Sequence, residues 1–145
     1  MKRFVQFACL VLVFLMVLSI PANAVEFVAR GSDYFGARSC YLWKTSSTQF
    51  QVWFDVTAMG TMDELGTSTI KVQRSSDGEN WEDMQTYRKA DYANMIHEDT
   101  ARHASYVTYT GAQTDYYYRA YVCFYAKDGT SIAEYNSYTS SITMP

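Results

Sequence analysis

Apolar side chains recur along this chain with a period of two residues. Phe50, Val52, Phe54, Val56 and Ala58 alternate with Gln51, Trp53, Asp55 and Thr57. Ile70-Lys71-Val72-Gln73-Arg74 repeats the pattern, and Tyr116, Tyr118, Ala120, Val122 and Phe124 repeat it again. Side chains alternate across a strand, so each run buries one face and presents the other to water. β-branched and aromatic residues fill the runs, as half-buried antiparallel strands require. No stretch carries a long helical stripe.

Turn signals separate the runs. Ser75-Ser76-Asp77-Gly78-Glu79-Asn80-Trp81 is the sharpest, because Gly takes the positive φ of a tight turn and Asp orders the turn with its carboxylate. Lys127-Asp128-Gly129 is a second. Met59 to Thr67, with Gly60 and Gly66, reads as a loop. The expected strands are Ser39–Lys44, Gln49–Ala58, Ser68–Arg74, Trp81–Tyr87, His103–Thr110, Asp115–Tyr125 and Ser131–Ile142. Residues 88–102 are polar and fit a loop, an edge strand or one helical turn. The expected fold is all-β: a single antiparallel β-sandwich of about seven strands, immunoglobulin-like or fibronectin type III-like.

Residues 1–24 read as a signal peptide. Lys2 and Arg3 precede the apolar run Phe4 to Leu18, and Ala22-Asn23-Ala24 supplies the small-x-small cleavage pattern. The run is shorter than a spanning helix needs, and Cys9 lies inside it, where lipidation is not expected. Cleavage after Ala24 is expected, leaving a lead at 25–37, a sandwich domain at 38–145, and no membrane span. The destination is secreted, extracellular. Loss of Lys2 and Arg3 takes the net charge from −3 to −5. An acidic exported domain has no electrostatic reason to bind nucleic acid.

Thr114-Asp115-Tyr116-Tyr117-Tyr118-Arg119-Ala120-Tyr121, with a Gly turn and a Ser-rich last strand after it, resembles the final strands of fibronectin type III and immunoglobulin-like domains. In those domains a tyrosine at the start of the strand bonds the preceding corner, and Tyr116 is the candidate for it. Cys40, Ile70-Lys71-Val72-Gln73, Gly78, Trp81, Tyr116-Tyr117-Tyr118-Arg119, Gly129 and a Tyr-Ser-rich closing strand also resemble an uncharacterised family of small secreted proteins of the Firmicutes. The resemblance spans most of residues 38–142 and implies fold and export, with no activity attached. Members often carry a second Cys on the second strand; here Cys123 lies late in the chain instead.

With Cys9 removed, Cys40 and Cys123 remain. Two cysteines in an exported chain read as one disulfide, worth about 4.5 kcal/mol in loop entropy before strain. Strand parity puts Cys123 opposite the inward set, which fits a surface bridge; separate thiols are the alternative. His97-Glu98 and His103 do not have HExxH spacing, and no G-x-S-x-G, phosphate-cradling or dinucleotide pattern occurs. The chain is therefore expected to be non-catalytic, with no catalytic residue, metal site or cofactor.

Tyrosine is in excess, at 13 residues. Tyr117, Tyr121 and Tyr125 share the face opposite Tyr116 and Tyr118, together with Arg119 and Cys123. Such a row suits stacking on a glycan or docking on a cell-surface protein. Cross-strand pairing in the sheet is the plainer explanation of the same tyrosines. Trp53, with Gln51 and Asp55, marks another outer face. The expected function is a non-catalytic binding or surface-interaction module; the rival is a protein that assembles through its sheet edges or tyrosine face, and a small enzyme or inhibitor carries least weight.

Overall fold

The computed structural model describes residues 28–30, in backbone only, and 33–144. The expected signal peptide and its cleavage site lie outside these residues. Eight strands follow in order: β1 Val28–Arg30, β2 Phe35–Lys44, β3 Gln49–Ser75, β4 Glu82–Arg88, β5 Ile96–Thr110, β6 Tyr117–Asp128, β7 Ser131–Tyr138 and β8 Ile142–Thr143. A 3-10 turn, Ala93–Met95, precedes β5. The expected strands are present with shifted bounds: Asp115 and Tyr116 lie before β6, and the expected last strand Ser131–Ile142 is divided into β7 and β8. The lead at 25–37 supplies more than a tether: β1 pairs in parallel with β7, and β2 begins at Phe35.

The largest departure from expectation is β3. Met59 to Thr67 is strand, not loop, so one 27-residue strand serves both layers of the sandwich. Its first half pairs with β2 on one edge and β5 on the other. Around Glu64–Gly66 it lies between β5 and β6, and its last part lies between β6 and β4. Register irregularities at Thr57/Met62 against β5 and at Thr67/Thr69 against β6 mark where it turns from one layer to the next. Gly66 sits in this bend at φ +156°, where a Cβ would overlap the Met95 carbonyl oxygen and lie 3.1 Å from Ile96 Cα. The glycine reflects close backbone approach, not a turn.

One layer is β2, the first half of β3, and β5. The other is β4, the second half of β3, β6 and β7, with β8 on β6 and β1 at the far edge. Between them Phe50, Val52, Phe54 and Val56 meet Ile70, Val72, Tyr118, Ala120, Val122 and Phe124, all at most 1% exposed. The Phe50 ring lies 5.4 Å from Tyr118 and 5.2 Å from Tyr109. Phe50 and Tyr118 are fully buried and Tyr109 nearly so, which places large aromatic surfaces at the centre of this core.

The corner tyrosine is Tyr118, not Tyr116. The Gln113 backbone N–H donates to Tyr118 Oη at 2.8 Å, tying β6 to the corner after β5. Tyr116 lies just before β6, partly buried, with the Arg74 guanidinium 4.5 Å above its ring. Both tyrosines have the inward parity, but Tyr118 is the one whose phenol reaches the corner.

The β3–β4 turn follows its sequence. Asp77 Oδ1 accepts from the Glu79 and Asn80 amides at 2.9 and 2.8 Å, and Oδ2 accepts from Asn80 Nδ2 at 2.7 Å. These donors hold the Asp77 carboxyl far below its ordinary pKa. Gly78 takes φ +78°. Residues 88–102 hold a turn, the 3-10 turn and the first half of β5.

Candidate functional site

The outer face of the larger layer is built from the polar half of each alternating strand. Ile70 and Val72 point inward, so Lys71 and Gln73 point out; Val122 and Phe124 point inward, so Tyr121 and Cys123 face the other way. The register then sets Lys71 opposite Tyr121, and Tyr121 opposite Tyr138 of β7. The Tyr121 and Tyr138 rings meet edge to face at 5.4 Å. With Ser68, Thr69, Gln73, Cys123 and Glu134 they line an open groove of about 350 Å³.

A stacked cation holds one end of this groove. The Arg119 guanidinium lies 4.2 Å from the Trp81 ring and 4.4 Å from the Tyr138 ring. Its Nε donates to Gln73 Oε1 at 2.8 Å, and Gln73 Nε2 donates to Asp83 Oδ1 at 2.6 Å. Lys71 Nζ pairs with Asp83 Oδ2 at 3.2 Å. Each cation–π contact is worth about 0.5–1 kcal/mol at an exposed site, so the greater consequence is geometric. Tyr138 and Arg119 are fixed before any ligand arrives.

At the other end Ser68 Oγ donates to Glu134 Oε1 at 2.9 Å. Burial raises the Tyr121 phenol above its ordinary pKa, assisted by the neighbouring Cys123, Tyr138 and Glu134. The phenol therefore stays neutral and keeps its donor at physiological pH. The groove thus offers two aromatic rings, carboxylate and amide acceptors, and hydroxyl, ammonium and amide donors.

The expected row of Tyr117, Tyr121 and Tyr125 does not form one surface. Tyr117 is exposed beside the Gly78 turn, and Tyr121 lines the groove. Tyr125 is only 4% exposed, because Lys89 lies across it with Nζ 3.6 Å from the ring centroid. Glu64 anchors that lysine at 2.9 Å and also takes Lys127 at 3.1 Å. Tyr125 is thus a buried packing residue.

The expected bridge between Cys40 and Cys123 is absent; both are free thiols. Cys40 is paired with the inward Phe54 and meets Ser137, itself opposite the inward Val122. Cys123 lies on the other side of that layer, beside Ser68 and Glu134. The two sulfurs face opposite sides of one sheet, which no rotamer change can bridge. Cys123 also faces outward without being accessible, at 6% exposed. Burial raises the pKa of both thiols, so neither is held as a reactive thiolate.

The sequence reading missed Tyr138, Trp81 and the stacked position of Arg119. A signal for Tyr138 was present: a two-residue hairpin at Gly129-Thr130 pairs Asp128 with Ser131, and that register sets Tyr121 opposite Tyr138. His97 and His103 come closer than their spacing suggests, with rings 5.7 Å apart where Asp99 takes φ 49°. His103 Nε2 is 2.8 Å from the Asn94 carbonyl oxygen, and His97 Nδ1 is 2.7 Å from that of Glu98. Among the described residues no three His, Cys, Asp or Glu side chains gather as a metal-ligating group.

The free edge of β5 is capped. Asn94 Nδ2 donates to the Tyr106 carbonyl at 2.6 Å and Tyr87 Oη to the Thr108 carbonyl at 2.8 Å. These acceptors are thereby withheld from an added strand. Among the described residues no helix is long and apolar enough to cross a membrane. No family model, curated protein or solved structure matches the chain.

Proposed function

We propose that this chain is an exported, non-catalytic binding module whose ligand seat is the Tyr121–Tyr138 groove. The ligand class is a neutral, hydroxyl-rich surface molecule, a glycan of a cell surface. The observation that carries this reading is the groove itself: two fixed rings flanked by Lys71, Gln73, Glu134 and Ser68. Sugars present apolar C–H faces to rings and hydroxyls to such polar groups. Export rests on the Lys2-Arg3, apolar and Ala22-Asn23-Ala24 succession and on the resemblance to small secreted Firmicutes proteins.

The raised thiol pKa values and the backbone-bonded histidine support a non-catalytic role. The rival reading, assembly through sheet edges, loses support from the capped β5 carbonyls and from Glu82 and Asp83 on β4. The test is a glycan array read with the wild-type protein and with Tyr121→Ala/Tyr138→Ala. An affinity for a neutral sugar that falls about tenfold or more in the variant, at unchanged melting temperature, supports the seat. Unchanged affinity for every sugar on the array refutes it. A mass that grows with concentration in solution would favour assembly instead.

A further inference from the structure

The opposite outer face carries a second arrangement of rings. On the layer of β2, β3 and β5, the register sets Tyr41 opposite Trp53 and Trp53 opposite Tyr106. Tyr41 and Trp53 lie with planes 3° apart at 6.3 Å, and Trp53 and Tyr106 at 4.6 Å. Tyr41 is 48% exposed and Tyr106 39%. The Trp53 Nε1–H is already given to Gln51 Oε1 at 2.9 Å, which fixes the indole on the sheet. Three rings therefore cross three strands, a span of about 10 Å from the usual strand spacing.

The strip runs directly into a polar groove. Two residues along the same face, Ser39 pairs with Asp55, and Arg102 grips the Asp55 carboxylate through Nε at 3.1 Å and Nη2 at 2.6 Å. Ala37, Arg38, Ser39, Asp55, Thr57 and Arg102 line about 240 Å³ of open space there, and the Arg38 guanidinium is stacked on the Tyr135 ring at 3.8 Å. The charges of Asp55 and Arg102 neutralise one another, so the pair itself favours neither an anion nor a cation. The remaining carboxylate lone pairs and guanidinium N–H groups suit neutral hydroxyls.

We infer that this face is a second carbohydrate site, in which a neutral oligosaccharide stacks on Tyr41, Trp53 and Tyr106 and places hydroxyls against the Asp55–Arg102 pair. Rings that are contiguous with an ion-paired, hydrogen-bonding groove favour a sugar over an apolar protein surface, which would leave the Asp55–Arg102 pair buried against nothing. Because the two sites lie on opposite faces of one sandwich, the protein would be bivalent and would cross-link glycans without forming a dimer.

The chain has three tryptophans, and Trp81 alone is on the Tyr121 side. Trp81→Phe therefore leaves emission only from Trp43 and Trp53. In this background an array of neutral oligosaccharides, followed by titration of the array hits, should shift the tryptophan emission. Tyr41→Ala/Tyr106→Ala should weaken that response about tenfold or more, while Tyr121→Ala/Tyr138→Ala leaves it unchanged. Loss of the response in the Tyr121/Tyr138 variant alone would overturn this second site and leave the first. So would an array without hits, or a protein partner captured through Tyr41 and Tyr106 without any sugar. A Trp53→Phe variant, which keeps a ring and the strand, should retain part of the affinity; full affinity in both Trp53→Phe and Tyr41→Ala/Tyr106→Ala would refute the inference.

Discussion

Gly66→Ala isolates the bend of β3. The new Cβ would overlap the Met95 carbonyl oxygen and stand 3.0 Å from its carbon and 3.1 Å from Ile96 Cα. None of these atoms is the free end of a flexible chain, and Met95 is fully buried. Overpacking of this kind costs about 1–3 kcal/mol. The φ of +156° adds a backbone penalty of about 1–3 kcal/mol for a residue with a side chain. The expected destabilisation is therefore about 2–6 kcal/mol, or a melting temperature lower by about 8 °C or more. Gly60→Ala is the matched control: a Cβ there meets nothing within 4 Å. It should be neutral or stabilise by about 0.5 kcal/mol through the unfolded state. Urea unfolding followed by tryptophan fluorescence measures both. If Gly66→Ala behaved like Gly60→Ala, to within about 0.5 kcal/mol, residues 59–67 would be a loop and the continuous β3 would be wrong.

Three further outcomes are expected. Tyr118→Phe should cost about 1–3 kcal/mol by leaving the Gln113 N–H without its partner, whereas Tyr116→Phe should stay near neutral in the same unfolding assay. Burial pushes the Tyr87 phenol up to about 12, with Tyr92 and Tyr109 adding to it. Its folded pKa thus exceeds its unfolded value of about 10, so this contribution is complete below pH 10. It falls as pH rises toward 12, by about 2–3 kcal/mol, and Tyr87→Phe should flatten that part of the pH–stability curve. Alkylation in denaturant without reductant, read by peptide mass, should modify both Cys40 and Cys123; an unmodified pair would mean a bridge and a wrong placement of β2 against β6.

Much of the sandwich was legible because the strands are half-buried, and half-burial writes itself as alternation. Phe50 to Ala58 and Tyr118 to Phe124 show this most clearly. The Asp77-Gly78 turn was legible because it is satisfied within six residues. What escaped is what depends on distant partners. Gly66 looked like a turn residue because the crowding by Met95 comes from elsewhere in the chain. Tyr125 has the same parity as Tyr121 and a different fate, set by Lys89 and Glu64. Tyr138 entered the groove through register, and the cysteines separated because β2 and β6 expose them to opposite sides.

Amide chemical-shift mapping locates a bound sugar on the tyrosine groove residue by residue. Titration of a neutral oligosaccharide selected on the array should move the resonances of Lys71, Gln73, Tyr121 and Tyr138, and the Tyr121→Ala/Tyr138→Ala protein should show no change at those positions. Shifts confined to the edges of β4 and β5, or unchanged shifts at Tyr121 and Tyr138 in the presence of a bound sugar, would contradict the assignment.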